Sequence, residues 1–211
     1  LVPLAEKPAG NGGLFLYSGS PFSGRLAFVM IGFLFFFFSL LVTLGMCGMA
    51  ALSDYRGFRI PNMISIVIVA AFVVAFGTVT LTGQRSDVFF SLSSHVISAA
   101  VVLGVTAILF ALGQLGAGDS KFATAIGLWL GLPGLAAFLF YMALGGGIVA
   151  GASLALKRWK PFPNAAEGGF VAKAQQGANQ VPYGIAIAFG AAAAFLYRGY
   201  FNPTLWQAMF E

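Results

Sequence analysis

The chain has 211 residues, of which 59% are hydrophobic and 8% charged, with a formal net charge of +5. A water-soluble domain carries about 25% charged residues, so this chain lacks the polar surface of a soluble globule and lipid must be its main solvent. Its Lys and Arg are scattered and form no stripe of the kind nucleic acid needs, which excludes that partner. The lone Cys47 and lone His95 exclude an internal disulfide, a paired-cysteine metal site and a multi-histidine centre, so no metal or other cofactor is expected.

Residues 1–24 are polar and rich in Gly, Pro and Ser, and read as a tail outside the bundle. A helix rises about 1.5 Å per residue, so about 20 apolar residues cross the hydrocarbon core. Charged residues divide 25–200 into uncharged runs at 26–53, 60–84, 88–118, 122–156 and 181–197. The fourth run is long enough for two helices, and Gly131-Leu132-Pro133-Gly134 supplies a turn near its middle. The predicted fold is therefore an all-α membrane protein, a bundle of about six transmembrane helices. Residues 201–211, with Pro203 and Trp206, are expected at the membrane interface. Trp129, Trp159 and Trp206 fall near predicted span ends, as belt anchors do. Gly147-Ile148-Val149-Ala150-Gly151 predicts close helix packing, within the chain or between copies of a homo-oligomer. The segment 157–180 reads as a mobile loop on the membrane surface.

Six crossings place the loops in two sets. One contains Arg56, Arg59, Lys121, Lys157, Arg158, Lys160 and Lys173, and the other Lys7, Arg25, Arg85 and Arg198, seven basic residues against four. The positive-inside rule puts the richer set in the cytoplasm and both termini outside.

Only six acidic residues exist, and Asp54 and Asp119 sit where apolar runs meet one side of the membrane. Parity alone requires this, because Asp54 closes the first span, the next two cross and return, and Asp119 opens the fourth. Ionisable residues in such places are expensive and point to function. Asp54 is followed by Gly57 and by Ile60-Pro61-Asn62, where Asn62 is suited to cap the second helix. Asp119 lies in Gly116-Ala117-Gly118-Asp119-Ser120-Lys121, and Val181-Pro182-Tyr183-Gly184 opens the last span on the same side. Lys121 is either a boundary lysine or a contact for substrate or carboxylate.

These elements resemble the prepilin peptidases, membrane aspartic peptidases with a GxGD motif. The resemblance rests on Asp54 with Ile60-Pro61-Asn62, on Gly116 through Lys121, and on Pro182-Tyr183-Gly184. It implies Asp54 and Asp119 as the catalytic pair, shaped by Gly116, Gly118, Lys121, Pro61, Asn62, Pro182, Tyr183 and Gly184. It further implies prepilin or pseudopilin substrates, cut at the cytoplasmic face of a bacterial or archaeal inner membrane. Longer members carry a cytosolic insert with two CxxC pairs, which this chain lacks, so it looks like the short form associated with tight-adherence pili. Two carboxylates sharing a site hold one proton between them. From helix dipoles, Asp119 at a helix N-terminus is the expected base and Asp54 at a C-terminus the expected acid. Two rivals stand beside this reading: an intramembrane protease of the presenilin or signal-peptide-peptidase type, and a transporter using the two Asp residues as a proton or cation site.

Overall fold

The structure is a computed structural model that describes residues 21–83, 88–178 and 181–209. The expectations for residues 1–20, for the loop around Arg85 and Asp87, and for residues 210–211 lie outside the described residues. Among the described residues, seven helices follow in order: α1 (Pro21–Gly57), α2 (Asn62–Leu81), α3 (Leu92–Ala111), α4 (Ala117–Trp159), α5 (Phe170–Gln175), α6 (Tyr183–Tyr197) and α7 (Pro203–Ala208). No strand occurs among the described residues. The all-α fold is as expected.

Four helices, α1 to α4, are long and apolar enough to cross a membrane, and α6 is a shorter apolar helix. Phe38, Leu81 and Ile108 turn large apolar side chains outward, the pattern of helices solvated by lipid. The chain is a multi-pass membrane protein. At 37 residues, α1 is about 55 Å long, more than the hydrocarbon core requires. Its last turn, with exposed Tyr55 and Arg56, therefore lies beyond the apolar run 26–53, and Asp54 opens that polar end.

The 43-residue α4 is interrupted at Gly131, whose φ of 62° and ψ of 179° belong to a region that only glycine enters readily. Pro133 follows at a helix start, where its missing N–H costs nothing. Contacts on either side of the break show that the chain reverses there. The first half, 117–130, runs antiparallel to α3: the Thr106 and Ser120 hydroxyls meet at 2.8 Å at one end, and Leu132 N–H donates to Ser94 Oγ at the other. The second half runs antiparallel to α6, with Gly134 against Arg198 and Gly145 against Ala186 and Phe189. Among the described residues, four helices have the length of a full span where about six spans were expected; the stretch 117–130 and α6 measure only about 21–23 Å against a hydrocarbon core of about 30 Å.

The end of the bundle away from Asp54 is held by aromatic packing. Phe36, Phe72, Phe89, Trp129, Phe195 and Tyr200 are nearly or fully buried, with successive ring centroids 5.7–5.9 Å apart and mostly edge-on, the favoured geometry for such pairs. His95 is buried among them and its Nδ1 lies 2.8 Å from Leu128 O, a structural role. The expectation that Trp129 anchors at the interface is wrong. Its side chain is fully buried and Nε1–H donates to Ile68 O at 3.0 Å, because the turn at Gly131 carries it inward against α2. Trp206 packs edge-on to Phe33 and Phe37, which folds α7 back onto α1. Trp159 is exposed at the end of α4.

Close packing of α4 on α6 uses different glycines from those expected. A Cβ on Gly145 would meet Phe189 at 3.0 Å and one on Gly190 would meet Met142 at 2.9 Å, whereas Gly147 and Gly151 have nothing within 4 Å. The small-residue spacing at 147–151 therefore mediates no close packing among the described residues. The described part of the segment expected as a surface loop, residues 157–178, contains a short helix and internal hydrogen bonds. Gln175 exchanges two hydrogen bonds with the Phe162 backbone, at 2.8 and 2.9 Å. Within α5, Phe170, Ala172 and Ala174 are buried, and Phe170 packs on Tyr55 and Phe58. This segment rests against the end of α1, beside Asp54.

Candidate functional site

Three chain breaks converge at that end. Between α1 and α2, Phe58 adopts φ 53° and its N–H closes the helix onto Asp54 O at 2.9 Å. Pro61 then occupies the cap position of α2 without a side-chain cap. Asn62 is not the cap that was expected. It is the first helical residue, and its Oδ1 accepts from Lys121 Nζ at 3.0 Å, so the ammonium takes the oxygen that capping would have used.

Glycines let the three breaks approach. A Cβ on Gly118 would sit 2.9 Å from Ile60 O, and one on Gly184 would sit 2.8 Å from Ile60 Cδ1 and 3.0 Å from Asp54 Oδ2. Ile60 is thus clamped between the starts of α4 and α6. On Gly116 a Cβ would meet Asp119 Oδ2 at 2.7 Å, and instead Gly116 N–H donates to that oxygen at 3.2 Å.

Asp54 is 3% exposed, and its Oδ2 accepts the Gly184 N–H at 2.7 Å. That donor lies in the first turn of α6, where unpaired N–H groups and the helix dipole favour an anion. Asp119, half-buried in the first turn of α4, leaves Oδ1 buried without a hydrogen-bond partner. The two carboxylates thus differ in their donors: Asp54 Oδ2 holds the Gly184 N–H, and Asp119 Oδ2 holds the longer bond from the Gly116 N–H.

Both carboxylates line the same two cavities. The larger, about 530 Å³, is also lined by Phe58, Gly113–Gly116, Val181 and Tyr183. The smaller, about 460 Å³, adds Arg59, Ile60, Pro61, Asn62, Ala117 and Gly118. The structure therefore gathers Asp54, Asp119, Gly116, Gly118, Pro61, Asn62, Tyr183 and Gly184 at one place. Pro182 stands just behind, buried at the start of α6. Lys121 departs from the group: it lines neither cavity, but faces a third, apolar one between α2, α3 and α4 that Asn62 also lines. No group of three or more potential metal-ligating side chains occurs among the described residues.

The family model of the type IV leader peptidase family matches residues 41–151, more than half of the chain. The chain belongs to that family. The matched stretch contains both Asp54 and Asp119, the α1–α2 break and the whole Gly116–Lys121 motif, but not the start of α6. No curated protein and no solved structure matches the chain. Family membership makes this chain a type IV leader peptidase-like protease with prepilin-type substrates, and it leaves the transporter reading without support.

The residue that sequence reasoning missed is Phe58, while Ile60 and Val181 were read as parts of motifs and not as lining the site. The only signal for Phe58 was its place just after Gly57 at a helix end, and that placed the break without saying where the ring would go.

Proposed function

We propose that this leader peptidase is of the aspartic type, with Asp54 and Asp119 as its catalytic pair. The observation that carries the reading is that two carboxylates, 65 positions apart in the chain, line the same two cavities. With one proton between them, the ionised partner takes a proton from water as the water attacks the scissile carbonyl. The protonated partner donates to the developing oxyanion and then to the leaving amine. Two like charges facing one low-dielectric site disfavour the doubly ionised state, so such a pair titrates as a unit.

The environment favours Asp54 as the anion and base. It holds the short bond from Gly184 at the α6 N-terminus, while Asp119 keeps one buried oxygen without a donor. This reverses the roles expected from each residue's own helix. The dipoles of α1 and α4 favour the opposite assignment, but the N-terminus of a third helix, α6, is aimed at Asp54.

The substrate is a prepilin-like chain whose leader is cut at the membrane face bearing Arg56, Arg59 and Lys173, which the basic-residue bias assigns to the cytoplasm. With Cys47 as the only cysteine in the sequence, the chain corresponds to the short, tight-adherence form, and it acts without a metal or cofactor. The test is co-expression of a candidate prepilin with wild type, Asp54→Asn and Asp119→Asn, with membrane levels matched. Loss of processing in both variants is expected. Cleavage retained by either one removes that residue from the chemistry.

A further inference from the structure

Phe58 is placed where a bulky side chain is unfavourable. Its φ of 53° is the left-handed conformation at the end of a helix that glycine normally takes. A glycine is available one position earlier, yet Gly57 has an ordinary φ and nothing within 4 Å of where its Cβ would stand. The chain thus puts glycine where it is not needed and phenylalanine where glycine would be easier. A non-glycine residue held in this region beside a reactive site points to a role for its side chain.

The side chain is held in place from the α5 side. Phe170 lies 6.4 Å away, ring to ring, and Lys173 Nζ stands 4.4 Å above the ring centroid. Phe58 lines both the larger and the smaller cavity, and the other residues common to the two are Asp54, Gly116 and Asp119. A peptide reaching the carboxylates from either cavity therefore passes Phe58.

We infer that the two cavities are the two arms of one cleft for an extended peptide, and that Phe58 is the specificity-determining residue at their junction. Its ring limits the size of the side chain next to the cleaved bond. The inference rests on the peptidase reading above and deepens it: it assigns to one residue the choice of what fits beside the scissile carbonyl.

The test uses Phe58→Gly and Phe58→Leu in the full-length membrane protein, co-expressed with a candidate prepilin. The bond cut by wild type is first mapped by mass spectrometry, and the residue preceding it is then varied from small to large. Phe58→Gly suits its backbone conformation, so its thermal unfolding in detergent reports whether the fold survives. The expected result is that Phe58→Gly processes substrates with Leu or Phe at that position at least about tenfold better, relative to the native substrate, than wild type does. Phe58→Leu is expected between the two. An unchanged ratio, or a parallel fall for every substrate, would overturn the inference and leave Phe58 as packing for α5. Failure of the peptidase reading would look different: processing by Asp54→Asn, whatever stands at position 58.

Discussion

Substituting Gly184 by Ala tests the contact that distinguishes the two carboxylates. The added methyl would meet Ile60 Cδ1 at 2.8 Å and both Cβ and Oδ2 of Asp54 at 3.0 Å. Ordinary contact begins near 3.4 Å, so Asp54 or the start of α6 must give by about 0.4 Å. That movement weakens the 2.7 Å bond from Gly184 N–H to Asp54 Oδ2. A hydrogen bond to a charged group contributes about 1.5–3 kcal/mol, equivalent to about one to two pKa units for the group that loses it. The N–H stabilises the anion, so its loss raises the affinity of Asp54 for a proton. The acid limb of the activity–pH profile should move to higher pH by up to about one to two units, and processing near neutrality should fall about tenfold or more. The assay is initial rate of prepilin cleavage in detergent micelles across pH, at matched enzyme. Gly190→Ala on the same helix is the control: its Cβ would meet Met142 at 2.9 Å, with no carboxylate nearby, so it should lower stability by about 1–3 kcal/mol without moving the limb. A Gly184→Ala enzyme with the wild-type profile, or an equal limb shift in Gly190→Ala, would refute the reasoning.

Asp119→Asn should abolish processing while leaving the unfolding temperature in detergent at or above that of wild type, because the neutral amide replaces a carboxylate whose Oδ1 is buried without a donor; an unfolding temperature well below wild type would contradict that reading. Trp129→Ala removes a fully buried indole and should destabilise the protein by about 3–5 kcal/mol, read as a lowered unfolding temperature. Because the site lies at the other end of the bundle, cleavage well below that temperature should persist, and its selective loss at full stability would contradict the structural role.

The positions of Asp54 and Asp119 on one side of the bundle were legible because they follow from counting apolar runs, and each run is a local property of the chain. The break in α4 was legible for a similar reason: Gly131 and Pro133 state their backbone preferences without help from neighbours. Other features depend on partners far away in sequence. Trp129 looked like a belt residue because it stands near a turn, and only the reversal at Gly131 carries its ring under α2. Lys121 sits two residues from Asp119 yet turns to Asn62, since successive helical residues point in different directions.

Composition and spacing alone thus determined a helical membrane bundle with two acids, three glycine-bearing breaks and the family these motifs suggest. Tertiary structure decided which of those groups touch. The bond from Gly184 to Asp54 joins residues 130 positions apart. It exists because α6 packs against α1 with only a hydrogen atom where a side chain would otherwise be. A carboxylate's preference for its proton depends on the donors, charges and solvent within a few ångströms. That shell is assembled by packing, so the tertiary structure gives Asp54 and Asp119 their different environments.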